Sequence, residues 1–249
     1  MKKSLRWIAN LLNLRRQARL VTVVVPRKNW YRAALSACRV QGAISASLGG
    51  NRVLTEAVML DNWLVELTRI GPFPIPWTIS GTELIEAADP AVGTLYCWIH
   101  EPLAEFPLRP SMELGYPEPV VVADPGRIVD GNRLLVAGLE RRLQAIPADR
   151  YALGKARRFL KDGVGVVCLI DAQMGGPMFS LALQLAERVG ARVLFQWARR
   201  RPDGTIEVTF IKAPRPYCEN EEAVRENLAF LREAQKRALT ALGLPTDAT

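Results

Sequence analysis

Apolar and polar positions change their period several times along this chain, and each change marks an element. From Gly93 the run Thr94, Leu95, Tyr96, Cys97, Trp98, Ile99 is almost wholly apolar or aromatic, the pattern of a buried strand. Runs at 120–123, 164–170 and 193–197 have the same character, and Ile206, Val208 and Phe210 alternate with Glu207 and Thr209 as a half-buried strand does. Helical spacing separates them. Val53, Ala57, Leu60, Leu64 and Leu67 predict a helix over 52–69 with Glu56, Asp61, Glu66 and Arg69 on its other faces, stopped by Gly71 and Pro72. Residues 73–77 are an extended connector, because alternating prolines forbid regular helix.

A short helix follows over 80–88, capped by the hydroxyls of Ser80 and Thr82 and ended at Asp89 and Pro90. Further helices are predicted over 134–143, 152–160, 178–189 and 219–242. Gly175, Gly176 and Pro177 open the third of these and Gly190 closes it, while residues 201–204 form the turn before the alternating strand. Strands alternating with helices over some 150 residues predict an α/β fold. The expected architecture is a single domain over 51–249 with a mixed, mostly parallel central sheet flanked by helices.

The first 50 residues differ. Leu5, Trp7, Ile8, Leu11, Leu12 and Leu14 cover one arc of a helical projection, with Arg6, Asn10, Asn13 and Gln17 opposite. Charge sharpens the contrast: of a net +8, the residues before Glu56 carry +11 and no acid, which leaves 22 basic against 25 acidic residues, a net −3, for the rest. Segment 1–50 therefore reads as a basic amphipathic membrane-docking element. Its longest apolar run, 20–25, is far short of the roughly 20 residues that span a bilayer. Each Lys or Arg near an anionic leaflet contributes about 1 kcal/mol, so half of these eleven would hold the chain at a membrane surface. Three other readings compete. A mitochondrial transit peptide is opposed by basic residues continuing to Arg52, and nucleic-acid binding by the lack of a zinc-finger, RRM-like or basic heptad signature. A helix packed on the protein's own core remains compatible with docking. No nucleic-acid partner is expected.

With 249 residues, 49% of them hydrophobic, the chain is long and apolar enough for a sizeable core. Four cysteines without a CxxC pair and a single histidine suggest neither a disulfide framework nor a metal site, and no cofactor is expected. Cys97 and Cys168, inside apolar runs, read as reduced core residues of a cytoplasm-facing protein.

Candidate chemistry gathers at strand ends. His100 stands where the 94–99 run stops, and Glu105 follows across a turn broken by Pro102 and Pro107. A tight turn can bring imidazole and carboxylate together as a general base and its orienter, able to deprotonate an alcohol without a serine nucleophile. The plainer reading is a strand-end histidine facing solvent. Arg127, past the end of the 120–123 strand, is a candidate for a substrate phosphate or carboxylate, or else a solvated loop arginine.

Taken in order, these features resemble the bacterial lipid A biosynthesis acyltransferases, the lauroyl and myristoyl transferases of the lysophospholipid acyltransferase superfamily. The likeness covers about 52–242. It is carried by the 51–69 helix, the strand entering His100 with Glu105 completing a His-four-residues-acid motif, and the 120–122 strand. It continues through Asp171, Ala172 and Gln173, the helix after Gly176 and Pro177, Gly190 with Ala191, and the 201–204 turn.

The resemblance implies an O-acyltransferase in which His100 is the base and Glu105 its partner. Arg127, Asp171 and Gln173 are then expected on the substrate. It also implies acyl carrier protein or coenzyme A as thioester donor, with the hydroxyl of a membrane lipid or glycolipid as acceptor. The expected location is the cytoplasmic face of a bacterial inner membrane, bound peripherally. The alternative is a catalytically inactive relative that binds lipid or acyl carrier protein at the membrane.

Overall fold

A computed structural model of the protein describes Asp61, Val65 and residues 76–129, 133–135, 142–171, 176–201 and 205–241. The predicted N-terminal segment, most of the 52–69 helix, Gln173, Cys38 and most of the 201–204 turn lie outside the described residues. The strands are β1 (Trp77–Ser80), β2 (Thr94–Trp98), β3 (Val120–Ala123), β4 (Ile128–Val129), β5 (Arg133–Leu135), β6 (Arg142–Pro147), β7 (Val166–Leu169), β8 (Arg192–Arg200) and β9 (Ile206–Tyr217). The helices among the described residues are α1 (Glu83–Glu86), α2 (Leu108–Glu113), α3 (Ala152–Lys161), α4 (Leu181–Val189) and α5 (Glu221–Ala241).

One mixed sheet takes the order β1-β9-β8-β2-β7-β3-β6-β5-β4. Its centre, from β8 through β2 and β7 to β3 and β6, is parallel. The β8–β9 hairpin and the small β4–β5–β6 ribbon are antiparallel. Among the described residues no helix is long and apolar enough to cross a membrane.

Central strands bury both faces, which is why their sequences are runs rather than alternations. One face packs Leu95, Cys97, Val166 and Phe195 against Leu160 of α3, Leu183 of α4 and Leu231 of α5. The other packs Val121 and Val167 against Leu108 and Met112 of α2, together with Leu134, Leu143 and Ala145. Leu183 and Leu231 are fully buried, and each such leucine contributes about 1.5–3 kcal/mol relative to an exposed one. Close approach fixes one glycine. A Cβ on Gly93 would fall 2.1 Å from the Leu160 carbonyl oxygen, so the entrance to β2 touches the end of α3 and only glycine fits. Gly190 ends α4 in the left-handed conformation, at φ 69°.

Three local expectations are corrected. The described ends of the predicted 134–143 helix are strand, Leu134 and Leu135 in β5 and Arg142 and Leu143 in β6, where Leu143 and Ala145 are buried while Gln144 between them is exposed, a period of two; residues 136–141 lie outside the described residues. Gly138 inside the proposed helix was the contrary signal. α1 has no hydroxyl cap, since Thr82 makes no side-chain capping bond and Ser80 Oγ donates to Thr209 Oγ1 at 3.1 Å in the neighbouring strand. Asp61, expected on an outer face, is buried and accepts from Arg200 Nε at 2.6 Å.

Candidate active site

β2 and β7 are parallel neighbours with Trp98 opposite Leu169. Two residues further on, past the carboxyl ends of both strands, this register sets His100 beside Asp171. Ligand sites in open α/β sheets sit outside these strand ends.

The contact is direct. His100 Nδ1 lies 2.9 Å from Asp171 Oδ1, and the same oxygen accepts the backbone N–H of His100 at 2.7 Å. The second oxygen, Oδ2, accepts from Gln235 Nε2 of α5 at 3.2 Å. Three donors thus hold one carboxylate, whose side chain is fully buried while that of His100 is 39% exposed. A carboxylate on Nδ1 places the ring proton there, which leaves the Nε2 lone pair at the outer edge of the ring to accept a proton. Met178 and Phe179 are tied to this strand end as well: Asp171 bridges to Met178, and Phe179 N–H donates to the Ile170 carbonyl at 2.7 Å.

The expected pairing of His100 with Glu105 is corrected, because the orienting carboxylate is that of Asp171. From Glu101 to Leu108 the chain makes successive tight turns, with Ala104 N–H bonded to the Glu101 carbonyl and Phe106 N–H to that of Leu103. Leu103 and Phe106 anchor these turns in the core, and Glu105 makes an ion pair with Arg127 instead. Asp171, expected on the substrate, is the carboxylate that contacts the His100 ring. Arg127 ends the short 3-10 turn after β3, whose cap Asp124 accepts from Gly126 N–H at 2.7 Å. Its guanidinium is already engaged by a carboxylate.

Two residues that sequence reading missed complete the surroundings. Glu101 is partly buried, accepts from the Ala198 N–H at 3.4 Å, and is pushed up to about 8 by burial, with the nearby charges of Asp61 and Asp171 acting in the same direction. It is therefore mostly protonated at neutral pH. Gln235 is buried on α5, where Leu228, Leu231, Gln235 and Leu239 form one stripe at spacings of three and four. A glutamine in an apolar stripe was the signal.

Beside the dyad a cavity of about 560 Å³ opens between β8, β9, the turn after His100 and α5. Trp98, Leu103, Trp197, Ile211, Phe230 and Ala234 give it apolar walls, and its charged residues include Arg199 and two ion pairs, Arg200 with Asp61 and Arg237 with Glu233. Its volume is within the range of roughly 300–1,000 Å³ typical of small-molecule sites. Trp98 and Glu101, on either side of His100 in sequence, are on the wall, and His100 itself is not.

No family model matches the chain, and no curated protein does. Among solved structures it is similar to the 1-acyl-sn-glycerophosphate (LPA) acyltransferase PlsC from Thermotoga maritima. The two are 15% identical, with 93% of this chain and 98% of that chain covered and a TM-score of 0.43.

Proposed function

We propose that the protein is an O-acyltransferase that moves a fatty acyl group from a thioester, on acyl carrier protein or coenzyme A, to the hydroxyl of a membrane lipid or glycolipid. One observation carries the reading: a half-exposed imidazole clamped through Nδ1 by a buried carboxylate, at the end of two central parallel strands. That arrangement is a general base in need of an alcohol. The apolar cavity next to it supports the choice of substrate, since its walls suit a hydrocarbon chain.

In the reaction, Nε2 of His100 takes the acceptor hydroxyl proton as the oxygen attacks the thioester carbonyl. The tetrahedral intermediate collapses with cleavage of the C–S bond, and the imidazolium returns the proton to the departing thiolate. An ester and a free thiol result. Asp171 stabilises the imidazolium between the two transfers. The basic segment 1–50 would hold the enzyme peripherally on an anionic leaflet, where acceptor lipids are found.

A second reading is a non-catalytic module that binds lipid or acyl carrier protein. The observation in its favour is that the cavity wall includes Trp98 and Glu101 but not the His100 imidazole between them. Mass spectrometry of lipids from cells with and without the gene separates the two. An acyl-sized mass difference in one lipid class identifies both reaction and acceptor, whereas unchanged lipids from cells that express the folded protein would overturn the enzyme reading.

A further inference from the structure

Gln235 lies 64 residues from Asp171 in sequence, on a different element, and is 2% exposed. Its Nε2 donates to Asp171 Oδ2 at 3.2 Å and to the Gly176 carbonyl at 3.2 Å. Its own Oε1 is buried with no hydrogen-bond partner among the described residues. Both groups facing the Nε2 end are acceptors, so the inverted amide would set its oxygen against a carboxylate and a carbonyl, and only the donor orientation is tenable. A buried carbonyl left without a partner, as this one is among the described residues, costs about 1–3 kcal/mol, which an apolar residue in this stripe would avoid. The position therefore carries its polar group for the sake of the N–H donors.

We infer that Gln235 is a positioning residue for the dyad: by holding Oδ2 of Asp171 it turns Oδ1 toward His100 Nδ1 and so fixes which ring nitrogen carries the proton. The geometry explains why a single carboxylate serves three donors without rotating. Without Gln235, Asp171 keeps its two bonds to His100 through one oxygen only, and the carboxylate is free to rotate about the Cβ–Cγ bond. Because Gln235 also bonds the Gly176 carbonyl, the same amide ties the segment following Asp171 to α5. Ala234 and Arg237, on either side of Gln235 in sequence, lie on the cavity wall. The helix that walls the cavity is thus the helix that orients the base. The inference deepens the proposed role of His100 as base and rests on it in its kinetic consequence alone.

Because the chain has one histidine, nitrogen NMR of the whole 249-residue chain reports its ring tautomer without assignment. The test replaces Gln235 with methionine, which keeps length and removes the donor. The wild-type spectrum should show protonated Nδ1 and an unprotonated Nε2 in the neutral ring. Gln235→Met should show a mixture of the two tautomers, and acyl-transfer kcat should fall about 10- to 100-fold with KM nearly unchanged, as for other residues that orient a functional side chain from behind. Should the methionine variant not fold, Gln235→Asn is measured instead; its amide is one methylene too short to reach both acceptors, and the same tautomer mixture is expected. An unchanged tautomer in either folded variant overturns the inference, even if thermal stability drops. Protonated Nδ1 in wild type, lost in the variant, upholds it even if the protein transfers no acyl group, in which case only the proposed activity fails.

Discussion

Replacing Asp171 with asparagine probes the dyad with almost no change of volume. The carboxylate accepts from His100 N–H at 2.7 Å, pairs with Nδ1 at 2.9 Å and accepts from Gln235 at 3.2 Å, all in a fully buried setting. An amide has one acceptor where the acid has two. If its oxygen faces His100, its NH₂ meets the Gln235 donor, which can invert only by giving up its bond to the Gly176 carbonyl. If its NH₂ faces His100, it meets the backbone N–H there. Either orientation leaves a buried polar group unmet, at a cost of about 1–3 kcal/mol. For a chain of this length, that lowers Tm by about 2–12 °C.

The rate should suffer far more. The negative charge that stabilises the imidazolium is gone, and the tautomer with the proton on Nδ1 is no longer enforced, so kcat should drop on the order of 10³- to 10⁴-fold. Initial rates of labelled acyl transfer, measured well below the variant's Tm, separate the two effects. A folded Asp171→Asn protein within threefold of wild-type kcat would refute the role assigned to this carboxylate.

Other consequences follow from particular contacts. Glu101, held up at about 8 by burial, stabilises the fold fully below its ordinary value of 4.5 and loses that contribution as pH rises through about 8. The interval corresponds to an upper limit of about 5 kcal/mol. Wild-type Tm should therefore fall between about pH 5 and about pH 8 and level off above, and Glu101→Gln should flatten that fall; an identical slope in both proteins would contradict the assignment. Gly93→Ala drives a Cβ to 2.1 Å from the Leu160 carbonyl oxygen and should cost about 3 kcal/mol or more in chemical denaturation, whereas an unchanged midpoint would mean that β2 and α3 are not in contact there. Ala234→Phe narrows the cavity and should shift the preferred acyl chain toward shorter lengths, each lost methylene being worth about 0.8 kcal/mol or roughly fourfold in kcat/KM. An unaltered chain-length profile would detach the cavity from the acyl group.

Much of the fold was legible because parallel strands announce themselves as apolar runs: β2, β3 and β7 fall where Leu95, Val120 and Val166 predict them. The position of His100 at a strand end was legible for the same reason. Its partner was not. Asp171 is 71 residues away, and only the lateral order of β2 and β7 brings the two together, whereas spacing along the chain pointed to Glu105. The turns anchored by Leu103 and Phe106 give Glu105 to Arg127, a consequence of core packing that no local pattern encodes. The β5–β6 ribbon was hidden by leucines whose separation fits a helix as well as a strand, although Gln144 between Leu143 and Ala145 marks the true period. Gln235 could have been found, since a polar residue amid Leu231 and Leu239 breaks an otherwise apolar stripe.

The central claim is that the His100 ring moves the acceptor proton, and acyl transfer from a labelled thioester by the purified protein and its His100→Ala variant tests it most directly. The account predicts a loss of about 10²- to 10⁴-fold in kcat with the fold and thioester binding intact. Undiminished transfer by the folded variant would contradict it.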